Sequence, residues 1–130
     1  MKYLNDYMED KQTALFKSTG AFFAFSNERF MEEYKKGTKY INCGAGLMCE
    51  KDNYKELAAG LKQISMDAIA EDIKDNGIDG IIIRELYNHE AFYTMDTYDT
   101  YQTVKQYGIS EVEVRRLFKM ELETIDPDKY

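Results

Sequence analysis

With 130 residues, 44% of them hydrophobic and 32% charged, the chain is too apolar for disorder and long enough to bury a core as one domain, residues 1–130, without disulfide staples. No apolar run reaches the roughly 20 residues that cross a bilayer. The start, Met1-Lys2-Tyr3-Leu4-Asn5-Asp6, has no signal-peptide core, so the cytosol is the expected compartment, with Cys43 and Cys49 reduced.

Residues 3–18 carry Tyr3, Leu4, Tyr7, Met8, Ala14 and Leu15 at helical spacing and predict a first helix, closed by Ser18-Thr19-Gly20. Ala21-Phe22-Phe23-Ala24-Phe25 suits a short buried strand. Ser26 or Asn27 caps a second helix from Glu28 to Lys36, with acids early and lysines late as the helix dipole favours. Tyr40–Cys43 and Leu47–Glu50 flank Gly44-Ala45-Gly46 as a hairpin, with Cys43 opposite Leu47 and Cys49 opposite Ile41. Asp52 or Asn53 caps the longest helix, whose buried stripe is Leu57, Leu61, Ile64, Ala68, Ile69 and Ile73; Asn76-Gly77 ends it. Asp79 starts a further segment, read as helix, although Ile81-Ile82-Ile83 suits a strand equally. Asp96–Gln106 is predicted helical and stopped by Gly108. Ser110-Glu111-Val112-Glu113 is a capping box opening a last helix to about Thr124. The fold class is therefore α+β: a predominantly helical single domain with a small antiparallel hairpin or sheet.

Charge is unevenly placed. The net charge is −7, and residues 67–99 hold Lys74 and Arg84 against Asp67, Glu71, Asp72, Asp75, Asp79, Glu85, Glu90, Asp96 and Asp99, so the rest of the chain is close to neutral. Such a field disfavours direct binding of nucleic acid and favours a basic protein or a cation. Asp67, Glu71 and Asp75 recur every four residues along one helix face, with Asp72 beside them. Each like-charge pair costs about 0.2–0.5 kcal/mol, and neither Asp67 nor Glu71 has a lysine four residues on to relieve it. A row of carboxylates kept at this cost suits a basic groove on another protein, and a plain solvated face is the competing reading.

Chemistry-bearing motifs are sparse. Cys43 and Cys49 are spaced too widely for an ordinary zinc pair, and they fit buried small hydrophobes better. His89, Glu90, Asp96 and Asp99 offer a metal-dependent hydrolytic site, yet His89 is the only histidine and has no spaced partner; a hydrogen-bonded helix-end residue is the simpler role. No nucleophile elbow, dinucleotide fingerprint or phosphate-cradling loop is present. Gln102 to Phe118 imitates a helix-turn-helix with Arg115, Arg116 and Lys119 toward phosphates, but Glu111 and Glu113 occupy the end that should meet bases. No catalytic residue and no cofactor is assigned.

Three segments, Phe23-Ala24-Phe25-Ser26-Asn27-Glu28-x-Phe30, Glu85-Leu86-x-Asn88-His89-Glu90, and Thr94-x-Asp96-x-x-Asp99-Thr100 leading to Gly108-Ile109-Ser110, resemble a family of short uncharacterised proteins carried by phages and mobile elements of gut-type bacteria. The resemblance spans roughly residues 22–118 with gaps and brings no catalytic residues. It implies genomic company in which small acidic proteins block host defence nucleases, anti-CRISPR proteins among them. The expected function is thus a non-catalytic protein binder, an inhibitor of a nucleic-acid-handling enzyme such as a CRISPR effector nuclease, presenting Asp67, Glu71, Asp72, Asp75 and Asp79 in place of phosphates. The alternatives are the metal-dependent hydrolase, or metal-stabilised protein, at His89, Glu90, Asp96 and Asp99, and a homodimer formed through a tyrosine-rich surface.

Overall fold

Six α-helices and a three-stranded antiparallel sheet make up the computed structural model, which describes residues 2–125. The class is α+β, mostly helical, as the sequence pattern predicts. The residues group into two compact units that divide between Ala68 and Ile69, inside one long helix. Each unit is built around its own apolar cluster.

In the first unit, α1 (Leu4–Thr19) ends at Gly20, whose left-handed backbone at φ 73° turns the chain into β1 (Phe22–Phe23). Next come α2 (Asn27–Glu33), β2 (Tyr40–Asn42) and β3 (Leu47–Glu50). Ser26 caps α2 by accepting from the Arg29 amide. This helix stops three residues short of the predicted Lys36, because the Tyr34 backbone is extended and the Lys35 amide donates instead to the Tyr40 hydroxyl at 2.8 Å. The predicted hairpin forms as read: Ile41 pairs with Cys49, and the Cys43 amide donates to the Leu47 carbonyl. β3 is central, with Phe22 opposite Met48 on its other edge.

Leu47, Cys49 and Leu57 are the buried centre of this unit, with Leu15, Phe16 and Leu61 packed on it. Gly60 makes that packing possible, since a Cβ there would lie 2.7 Å from the Leu15 methyls. Both cysteines are free thiols; burial pushes the Cys49 thiol up, and Cys43 and Glu50 add to the effect. Asn53 does not cap the long helix as expected. Its amide donates to the Thr19 carbonyl and to Glu50, both at 2.9 Å, and ties the end of α1 to the end of β3.

The long helix, α3 (Tyr54–Asn88), is interrupted at Gly77, where φ is 70° and ψ is 162°. The predicted stop at Asn76-Gly77 marks this break, and the segment read as a further helix from Asp79 is helical, so Ile81-Ile82-Ile83 is not extended. Positive φ with extended ψ is open essentially to glycine alone, and other residues held there are strained by about 1–3 kcal/mol. Gly77→Ala is accordingly expected to lose about 1–3 kcal/mol in urea denaturation. Gly80→Ala, in regular helix with its nearest neighbour atom 3.8 Å from the added Cβ, is expected to gain about 0.4–1 kcal/mol. Equal effects of the two substitutions would refute the local account.

In the second unit, Ile81, Ile82, Leu86, Val104 and Val114 are fully enclosed, together with Ala91, Phe92, Ile109 and Leu117. Such aliphatic side chains stabilise by about 1.5–3 kcal/mol each on burial. After α3 come α4 (Ala91–Thr94), α5 (Tyr98–Val104) and α6 (Glu111–Leu122). α5 starts at Tyr98 rather than Asp96, because the Asp96 carboxylate folds back to accept from the Tyr98 amide at 2.9 Å. Gly108 closes this segment at φ 81°, and Ser110 caps α6 through the Glu113 amide, as predicted. α4 was not foreseen: it sits between Glu90 and Met95, two non-glycine residues in left-handed backbone at φ 54° and 58°. No helix among the described residues is long and apolar enough to cross a membrane.

Candidate functional site

The acidic positions on α3 do not share one environment. Asp67, Glu71, Asp75 and Asp79 are exposed, and Asp67 accepts from the Gln63 amide at 2.8 Å. Asp72 is completely buried, so it is not part of the outward row in which the sequence reading placed it. The reason is helical geometry: one residue beyond Glu71 is about 100° further round the axis, enough to pass from solvent to core.

Burial of that carboxylate is compensated in full. Arg84 grips it with two parallel bonds, Nη1 to Oδ1 at 2.8 Å and Nη2 to Oδ2 at 3.0 Å. The Tyr107 hydroxyl donates to Oδ2 at 2.6 Å and the Asn76 amide to Oδ1 at 2.7 Å. Burial alone would push the Asp72 carboxyl up, but the bonds from Arg84, Tyr107 and Asn76 overcome it and hold the carboxyl below its ordinary value. Burial and the bond to Asp72 push the Tyr107 phenol up. Arg84 also donates from Nε to Glu85 at 3.1 Å, and both residues are nearly fully enclosed. Asp72 and Arg84 lie on opposite sides of Gly77, so this pair clasps the two limbs of the interrupted helix.

A pH dependence follows from the lowered carboxyl. Its stabilisation is fully present above the unfolded-state value of about 3.9 and is lost as pH falls through the lower folded-state value. Between about pH 5 and pH 2 the urea midpoint should fall, and Asp72→Asn, though less stable at pH 7, should flatten that fall. An unchanged slope in Asp72→Asn would show that other carboxylates carry the acid sensitivity.

His89 follows the last turn of α3 beside this network: Nε2 is 2.9 Å from the Thr103 hydroxyl and 4.0 Å from Glu85. It is the hydrogen-bonded helix-end residue of the simpler reading. Glu90, Asp96 and Asp99 are exposed, and among the described residues no group of three His, Cys, Asp or Glu side chains is disposed to hold a metal. The imitation of a helix-turn-helix is also filled locally. Glu111 pairs with Arg115, and Arg116 lies 3.1 Å from Glu113 and 3.6 Å from Asp79.

Between Ile69 and Asp99 the surface is acidic and aromatic, whereas Lys105, Arg115, Arg116 and Lys119 are exposed later in the same unit. Between Ile69 and Asp99 six carboxylates are exposed (Glu71, Asp75, Asp79, Glu90, Asp96 and Asp99) against one exposed base, Lys74. Tyr93, Met95 and Tyr98 stand out from the same stretch at 74%, 60% and 63% exposure, whereas Tyr101 and Tyr107 pack on the core. Sequence reasoning missed Arg84, Glu85 and Tyr107. One signal was available for the first two: a base and an acid set inside the apolar run Ile81-Ile82-Ile83-Arg84-Glu85-Leu86, where unpaired charge would be intolerable.

A model of a family of unknown function, DUF7659, matches residues 4–124. No curated protein and no solved structure matches the chain.

Proposed function

The chain belongs to the DUF7659 family, and we propose that it is a non-catalytic binding protein whose acidic surface recognises a basic protein partner. The observation that carries this reading is the six exposed carboxylates against a single exposed lysine between Ile69 and Asp99; one of the six, Asp79, also lies 3.6 Å from Arg116. Arg84, the other base of the stretch, is enclosed between Asp72 and Glu85 and contributes nothing to the outer field. Exposed Tyr93, Met95 and Tyr98 add the kind of residues that anchor interfaces.

The partner class follows from the same charges. Carboxylates four residues apart on a helix are about 6 Å apart along its axis, whereas a nucleic-acid strand carries a charge about every 3.4 Å. With Asp72 removed to the interior and Lys74 among the acids, the row is a sparse phosphate mimic, and a basic protein face is its better complement. A host enzyme with a nucleic-acid groove, a CRISPR effector nuclease included, is one such partner, and the resemblance to mobile-element proteins supports that narrower role. It would act in the cytoplasm.

Affinity capture from a bacterial lysate, at low salt and at about 0.5 M salt where the Debye length is only a few ångströms, tests the reading. A basic nucleic-acid-handling protein held at low salt and released at high salt is the expected result. Capture that is indifferent to salt, or none at all, would count against an electrostatic partner surface.

A further inference from the structure

The second unit contains a cleft of about 430 Å³ whose wall is formed by Asp96, Tyr98, Tyr101, Gln102, Glu111 and Arg115. We propose that this cleft receives one arginine side chain of the partner, a subsite that rests on the acidic-surface reading and makes it specific. Its charges select the sign of the occupant. Glu111 and Arg115 neutralise each other as an ion pair, while Asp96 has no ion pair among the described residues and is engaged only through the Tyr98 amide. Lys105, which donates to the lining Gln102 at 2.6 Å, brings one positive charge to the rim, and the exposed carboxylates Asp96, Asp99 and Glu90 outnumber it. An anion is disfavoured there.

The rings select the shape. Tyr98 is largely exposed and Tyr101 half-buried, three residues apart on α5, so their side chains rise from neighbouring positions of one helix face. A guanidinium is planar and weakly hydrated; it stacks on a phenol ring while its fork meets a carboxylate, which an ammonium cannot do in the same pose. Asp96 supplies the carboxylate, whereas the Gln102 side-chain oxygen is already taken by the Lys105 ammonium at 2.6 Å. The volume of about 430 Å³ leaves ample room for one long side chain.

The test is an NMR titration of the whole protein with the blocked tripeptide Gly-Arg-Gly, alongside the same peptide carrying citrulline or lysine in place of arginine. Arginine is expected to give saturable shifts centred on Tyr98, Tyr101 and Gln102. Citrulline should give none, and lysine should bind at least threefold more weakly. Asp96→Asn should weaken the arginine peptide about tenfold, and Tyr98→Leu, which leaves the Asp96 turn in place, should do the same. Shifts spread over all acidic residues without saturation, or equal responses to arginine and citrulline, would overturn the cleft. If that happens while partner capture still depends on salt and on Glu71, Asp75 and Asp79, the acidic surface stands without the subsite. If the tripeptide saturates the cleft but capture is indifferent to those three residues, the subsite stands and the wider surface falls.

Discussion

Arg84→Ala is expected to destabilise the protein by about 3–5 kcal/mol, a large share of the roughly 5–15 kcal/mol that holds a typical domain together. The cost is not the value of the lost ion pair but that of what it leaves behind. Asp72 and Glu85 are at most 4% exposed, and without the guanidinium one carboxylate loses both its parallel bonds and the other its Nε donor. Tyr107 and Asn76 would still donate to Asp72, but neither carries charge. Neutralising the whole set with Asp72→Asn, Glu85→Gln and Arg84→Met should recover most of the loss, because no uncompensated charge then remains. Urea denaturation of the two variants decides the matter: a loss below about 1 kcal/mol in Arg84→Ala would mean that the network is solvated and not a clasp.

Reversing Glu71, Asp75 and Asp79 to lysine together is expected to weaken partner binding about 100-fold while leaving the fold intact. All three are exposed, and removal of a surface ion pair such as Asp79 with Arg116, at 3.6 Å, costs about 0–1 kcal/mol. At a complementary basic surface each reversal replaces an attraction by a repulsion, worth about 1 kcal/mol, and about 3 kcal/mol in all corresponds to roughly two decades in Kd. Most of the early loss should appear in the association rate, and it should shrink as salt is raised. The same change at Asp72 would report on stability instead, so it is left out of the variant. Circular dichroism and an unchanged urea midpoint would certify the fold; unaltered binding would remove the acidic surface from consideration.

Much of the architecture was legible because its signals are local. The hairpin register follows from Gly44-Ala45-Gly46, the α6 cap from Ser110 and Glu113, and the close of the helical segment after α5 from Gly108. What escaped notice was non-local or lacked a marker residue. Asn53 looked like a helix cap, yet its partner is the Thr19 carbonyl 34 residues earlier. α4 lies between Glu90 and Met95, whose left-handed backbone no glycine announces. The break at Gly77 and the helix after it were legible, but the Asp72–Arg84 pair that spans the break was not. The acidic row was half legible: a four-residue repeat identifies Asp67, Glu71 and Asp75, but charge counting treats Asp72 and Glu85 like the rest, although Arg84, 12 residues on, holds the first in the interior.

Carbodiimide footprinting of carboxylates, with and without the captured partner, tests the central claim most directly. In the free protein Glu71, Asp75, Asp79 and Asp96 should label readily, and Asp72 and Glu85 should resist, since they are buried. In the complex, labelling of Glu71, Asp75 and Asp79 should fall severalfold while Glu28, Glu32 and Glu33 on α2 stay reactive. Unchanged labelling of the first three with loss of label on α2 would place the partner elsewhere and contradict the account.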